Sequence, residues 1–158
     1  GLPSLVVQYV NTSGRRVPGS MNYFVSTLRA FMNYEPVRIR VLMDRAEQRV
    51  ERALLVAVAN GRFFGGGMEI APGAEIRDGL LDVVLVADAS LGDFMAHATK
   101  LYGGRILEHP QISHRHVREV LLDPVEDSDV MLLEMDGEPL GRLPATLRVM
   151  PGALRLKS

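Results

Sequence analysis

A chain of 158 residues, 47% hydrophobic and 23% charged, is long enough to bury a proper core as one domain. Its formal net charge of -1 leaves no global field to draw in nucleic acid or an anionic membrane. Cysteine is absent, which excludes disulfide and thiolate chemistry and suits a cytosolic protein; no apolar run approaches the roughly 20 residues of a membrane-spanning helix.

The first apolar run, Leu5-Val6-Val7, reads as a strand within Gly1–Val10, and Asn11–Gly19 reads as loop. From the N-cap candidate Ser20, the residues Met21, Phe24, Val25, Leu28, Phe31 and Met32 fall on one face at helical spacing. That stripe reads as core. Val37, Ile39, Val41 and Met43 alternate with Arg38, Arg40 and Leu42, which predicts a half-buried strand with Arg38 and Arg40 on its wet face. Asp44–Gln48 makes the turn, and Val50–Ala59 returns as a strand that enters the sheet interior.

The stretch from Val58 to Val86 is the most informative. A strand runs into Asn60-Gly61-Arg62, followed by Phe63-Phe64, the triple glycine Gly65-Gly66-Gly67 and a short strand at Met68–Ala71. Three glycines cost roughly 0.5–1 kcal/mol each relative to alanine, so the backbone there must turn sharply or be closely approached. Asp78 before Gly79 offers a carboxylate on a bend beside free carbonyls, a hard-cation pattern. Leu80 to Val86 is an apolar strand broken only by Asp82.

Ser90-Leu91-Gly92-Asp93 has the form of a capping box with Asp in place of Glu; Leu91, Phe94, Met95, Ala98 and Leu101 continue as a helix ended by Gly103-Gly104. Ile106–His116 reads as irregular or partly helical. Val117–Asp123 and Val130–Met135 are predicted strands around the acidic loop Pro124–Asp129. Asp136-Gly137 is a two-residue turn signal, and Ala145–Met150 and Ala153–Leu156 are short final strands. Many short strands, frequent Gly/Pro turns and two helices predict a mainly β fold with some α content, a two-sheet β-sandwich with attached helices.

The two blocks NGRFFGGGM with its following AP and DGLLDVVLV, and EMDGEPLGRLPATLRVMPGALRL at Glu134–Leu156, resemble the signature of the diacylglycerol kinase catalytic family, which includes bacterial diacylglycerol kinase-like and, more distantly, sphingosine kinase-like lipid kinases. The resemblance implies a two-sheet C-terminal domain, as in NAD kinase and diacylglycerol kinase-like proteins, spanning residues 1–158 as one unit. Members of that family carry a glycine-aspartate-glycine-threonine loop in an N-terminal nucleotide-binding domain. Neither that loop nor a Walker A sequence occurs here, so this domain is expected to lack activity alone.

Three sites follow from the resemblance. Glu75, Asp78 and Leu80 match the spacing at which bacterial members hold a structural Mg²⁺ through one carboxylate and flanking carbonyls; calcium could occupy the same oxygens. Glu138 matches the proton acceptor for the lipid hydroxyl, with Asp136 in support. Read without the resemblance, the pair is a hairpin turn with two solvated acids. Asn60, Arg62 and the amides of Gly65, Gly66 and Gly67 are expected to face nucleotide phosphates or a lipid head group; otherwise they form a plain sharp hairpin.

The expected activity is ATP-dependent phosphorylation of diacylglycerol or a related lipid alcohol by a cytoplasmic protein peripheral to the membrane. The expected partners are the lipid, the N-terminal nucleotide-binding domain that holds most of the ATP, and a possible second copy in a homodimer, with no nucleic acid. The alternatives are a non-catalytic lipid-binding or dimerisation module, and a kinase for a soluble substrate related to NAD kinase. His114-Arg115-His116 puts two imidazoles on one face of an extended chain, but no third ligand is evident nearby and neither Cys nor HExxH supports zinc.

Overall fold

The computed structural model describes Leu2, Ala30 and residues 33–153, apart from 65, 66, 89, 91, 94, 95, 98, 99, 101 and 102. The predicted N-terminal strand, almost all of the helix after Ser20, and the last strand beyond Ala153 lie outside the described residues. So do Gly65 and Gly66 and the whole apolar stripe after Ser90, Leu91, Phe94, Met95, Ala98 and Leu101.

Among the described residues ten strands follow in order: β1 (Val37–Met43), β2 (Glu47–Ala59), β3 (Phe63–Phe64), β4 (Met68–Glu69), β5 (Leu81–Ala87), β6 (Ile112–Val117), β7 (Glu119–Pro124), β8 (Leu132–Met135), β9 (Glu138–Arg142) and β10 (Ala145–Arg148). A 3-10 turn at Ile106–Glu108 precedes β6. Six strands form one antiparallel sheet in the order β10-β7-β1-β2-β5-β6, and β3-β4 and β8-β9 form two short ribbons. The architecture is the expected strand-rich, β-sandwich-like one.

Strand alternation makes the core. Val37, Ile39, Val41 and Met43 of β1, Val120 and Leu122 of β7, and Leu81, Val83 and Leu85 of β5 share one buried face with Val117. Met131 and Leu143, which flank the β8-β9 ribbon, close over that face and are tied by the Leu143 N–H to Met131 carbonyl bond of 3.0 Å.

The opposite face is divided. Over β2 and β5 it carries Leu55 and Val84, covered by Met68, Ile70, Ala71, Ala74 and Ile106. Toward β1 it is wet: Arg38 pairs with Glu126 at 3.7 Å and Arg40 with Asp123. A β-bulge between Ala53 and Leu55 permits the division. Before it, odd-numbered β2 residues lie opposite the core-facing residues of β1; after it, Val56 and Val58 take that face, and Leu55, Ala57 and Ala59 turn to the other.

The boundaries differ from expectation in instructive places. β2 begins at Glu47, because Met43 to Ala46 already closes the turn, with Asp44 and Arg45 at φ 48° and 59° and the Ala46 N–H on the Met43 carbonyl at 3.0 Å. The segment ending at His116 is not irregular: Ile112–Val117 is an edge strand paired with β5 from Val86↔Ile112 to Leu81↔Val117. β4 is only Met68–Glu69, because the chain bends at Ile70 and Ala71 donates instead to the Arg62 carbonyl at 3.2 Å.

Candidate functional site

Three surface regions collect the chemistry-bearing residues. The first is the tip of the β8-β9 ribbon. Asp136 and Gly137 both adopt positive φ, 51° and 86°, as a two-residue turn matched to strand twist requires. Met135 and Glu138 are direct cross-strand partners on either side of it, so they share a face. Asp136, Glu138, Met135 and Leu140 are all exposed. A register shift makes Leu140 the extra residue of the ribbon, next to Gly141 at φ 118°. The result is an open carboxylate edge beside two exposed apolar side chains.

Glu134 belongs to the same ribbon and went unremarked as a functional residue in the sequence. It pairs with Pro139, which puts it on the face opposite Glu138. Its Oε2 is buried without a hydrogen-bond partner. Burial holds its carboxyl above the ordinary value of 4.5, and the neighbouring Asp136 charge adds to the rise.

The second region is a groove of about 780 Å³ lined by Asp44, Arg45, Asp78, Arg118, Glu119 and Arg148, among others. The sheet end builds it. Asp44 at the β1-β2 turn accepts the N–H groups of Arg118 and Glu119 at 2.8 and 2.9 Å, locking that turn onto the start of β7. Arg45 donates to Glu119 at 2.8 Å, and this bond chiefly depresses the Glu119 carboxyl pKa. Arg77 and Gly79 line the groove as well.

Asp78 is exposed in this groove, and its Oδ1 accepts the Leu80 N–H at 2.8 Å. The Glu75 carbonyl accepts the Asp78 N–H at 3.3 Å, and the Glu75 side chain is exposed. The bend leaves the second carboxylate oxygen of Asp78 available. An exposed, all-oxygen donor set with one carboxylate fits Mg²⁺, which keeps several waters. Neither Asp136, Glu138, Asn60 nor Arg62 lines this groove.

Asn60 is exposed at the end of β2. Arg62 donates through Nε to the Ala74 carbonyl at 3.2 Å, while its own carbonyl accepts Ala71, so it braces the bend beyond β4. Gly67, the described member of the triple glycine, has φ 87°. These contacts give Arg62 a bracing role beyond either reading of the loop, the anion site or the plain sharp hairpin.

The third region corrects the reading of the two histidines. Asp82 lies on β5 opposite His116 of β6, and His114 lies two pairs further along on the same face, opposite Val84. His114 Nε2 is 2.6 Å and His116 Nε2 3.3 Å from the same Asp82 oxygen. The imidazoles meet edge to face at a centroid separation of 4.6 Å. Asp82 is only 1% exposed. The missing third ligand is therefore present, 32 residues earlier in the chain. Asp82 stood out in the sequence as the one polar residue of its strand; only strand pairing joins it to the histidines.

Strand order and ribbon geometry together define a β-sandwich-like domain. The family model described as the YegS C-terminal NAD kinase beta sandwich-like domain matches residues 1–158, and the chain belongs to that family. It is 28% identical over 156 residues to a diacylglycerol kinase of Mycobacterium tuberculosis, covering 99% of this chain and 49% of that one. It is 33% identical over 144 residues to a probable lipid kinase, YegS-like, of Alcanivorax borkumensis, covering 90% and 47%. The chain thus spans about half the length of these relatives. A crystal structure from Bacillus anthracis str. Sterne shares the fold at a TM-score of 0.63 and 24% identity, covering 82% of this chain and 41% of that one. Another from that source, of a diacylglycerol kinase, does so at 0.56 and 18%, covering 78% and 43%.

Proposed function

We propose that this chain is the C-terminal, acceptor-side domain of an ATP-dependent lipid kinase. The observation that carries the reading is the β8-β9 tip, where exposed Glu138 faces the same way as exposed Met135, with Asp136 in the turn and exposed Leu140 nearby. A lipid alcohol needs both features: apolar side chains for the acyl region and a carboxylate for the hydroxyl proton. Relatives named as diacylglycerol and lipid kinases support the same reading.

In this account Glu138 accepts the proton of the lipid hydroxyl as the hydroxyl oxygen bonds to the terminal phosphorus of ATP and the bond from that phosphorus to the bridging oxygen breaks, releasing ADP; Asp136 orients the pair. Such a base contributes about 10²–10⁴ in rate. ATP is held mainly by an N-terminal nucleotide-binding domain of the same polypeptide. Asp78, with the Glu75 and Leu80 carbonyls, would hold Mg²⁺, which supplies a fixed positive charge tying the bend down at the sheet end. Diacylglycerol is the default acceptor, met at the cytoplasmic membrane surface. Asn60, Arg62 and Gly67 are assigned to the phosphate side, in contact with nucleotide phosphates or the lipid head group.

The test is an ATP-dependent phosphorylation assay on a panel of lipid alcohols, with this chain beside a polypeptide that also contains the nucleotide-binding half. The expected result is lipid phosphate formed only by the longer polypeptide. Lipid binding without turnover by either would favour a non-catalytic lipid-binding module instead.

A further inference from the structure

We propose that Asp82, His114 and His116 form a binding site for a divalent transition-metal ion of the zinc type, separate from the oxygen-only bend at Asp78. All three ligand atoms, one carboxylate oxygen and two imidazole nitrogens, lie within 4.8 Å of one another. Among the described residues this is the one cluster of three such side chains that close together.

The ligands sit on rigid backbone. β5 is interior to the six-stranded sheet, and six consecutive pairs join it to β6. Two histidines at i, i+2 of a strand project to one face, and Asp82 reaches the same face from the neighbouring strand. A carboxylate 1% exposed needs hydrogen-bond donors or a cation, and the side chain of Ala59, its other cross-strand neighbour, supplies neither. Imidazole N–H groups would serve, and so would a metal ion.

The geometry can accommodate the ion, which would replace the hydrogen bond that His114 and Asp82 now share. Zinc-ligand bonds near 2.0–2.1 Å place tetrahedral donors about 3.3 Å apart. The Asp82–His116 separation is 3.3 Å, and the 2.6 Å separation to His114 needs to open by only about 0.7 Å. The His116 side chain is 49% exposed and that of His114 20%, so the site opens outward on the histidine side, leaving room for water as a fourth ligand. Two imidazoles with one carboxylate select zinc-class ions over Mg²⁺ or Ca²⁺, which prefer all-oxygen shells.

The experiment is calorimetric titration of the chelator-treated chain with Zn²⁺ at neutral pH, repeated with Co²⁺ while its visible absorption is recorded. The expected result is one equivalent bound, with an intensified visible cobalt band diagnostic of a low-coordinate, near-tetrahedral site. Binding should weaken at least about tenfold in His114→Ala and in His116→Ala. Asp82→Asn should weaken it similarly; because Asp82 is buried, the half-exposed His116→Ala is the decisive variant, with circular dichroism confirming its fold. Absence of stoichiometric Zn²⁺ binding, or binding unchanged in His116→Ala, would overturn the proposal and leave the imidazoles as hydrogen-bond partners of Asp82 alone.

Discussion

Glu134 shows how a single side chain records its surroundings. Its buried, unpartnered oxygen raises its pKa in the folded state above the unfolded value. The folded form therefore holds the proton to higher pH than the unfolded form does. Stability is greatest below the unfolded pKa and falls as pH rises from there through the raised folded value. Glu134→Gln should remove that penalty, so urea unfolding should find the variant less pH-sensitive across the range and more stable at neutral pH. A variant whose pH dependence matched the parent would show that Glu134 finds a partner in solution. The Asp136-Gly137 turn was legible in the sequence because both residue types favour positive φ. Nothing in the sequence distinguished the buried carboxylate of Glu134 from the exposed one of Glu138, since both belong to one acidic cluster.

At the scale of elements, local signals were readable and pairing was not. The capping box is as expected: the Asp93 N–H donates to the Ser90 hydroxyl at 3.1 Å, and the Asp93 carboxylate accepts both the Ser90 N–H at 3.1 Å and its hydroxyl at 2.6 Å. Ser90→Ala should therefore cost about 1 kcal/mol in a denaturant titration, mainly through the helix it starts. No loss would show that tertiary contacts alone hold that helix. β1 was legible from its strict alternation, and its burial follows it residue by residue. β6 was not, because histidines occupy the two positions that share the face of Ile112, His114 and His116, and so conceal the alternation begun by Ile112. β9 was hidden for another reason: all five residues are exposed, and Pro139 and Gly141 are poor strand formers. The bulge in β2 lies inside a run of apolar residues, where either face is satisfied and the sequence carries no mark of the parity change.

For the whole molecule, the strand-rich class and the family were legible from turn spacing and two signature blocks. The grouping of sites was not. The sheet end gathers arginines from three separate segments with Asp78, the ribbon presents Asp136 and Glu138 elsewhere, and Asp82 meets its histidines across β5 and β6. Such groupings depend on strand order, which no local pattern encodes. Among the described residues no helix is long and apolar enough to cross a membrane, and in the proposed reading the exposed apolar residues of the ribbon are what meets the lipid. The most direct test of the proposed acceptor-side chemistry is the turnover of Glu138→Gln in a polypeptide that includes the nucleotide-binding half, with Asp136→Asn alongside because asparagine tolerates the positive φ of that turn. The account predicts that Glu138→Gln lowers kcat by about 10²–10⁴ with the fold and the KM for ATP unchanged. Turnover at the parent rate would contradict it and remove Glu138 from the chemistry.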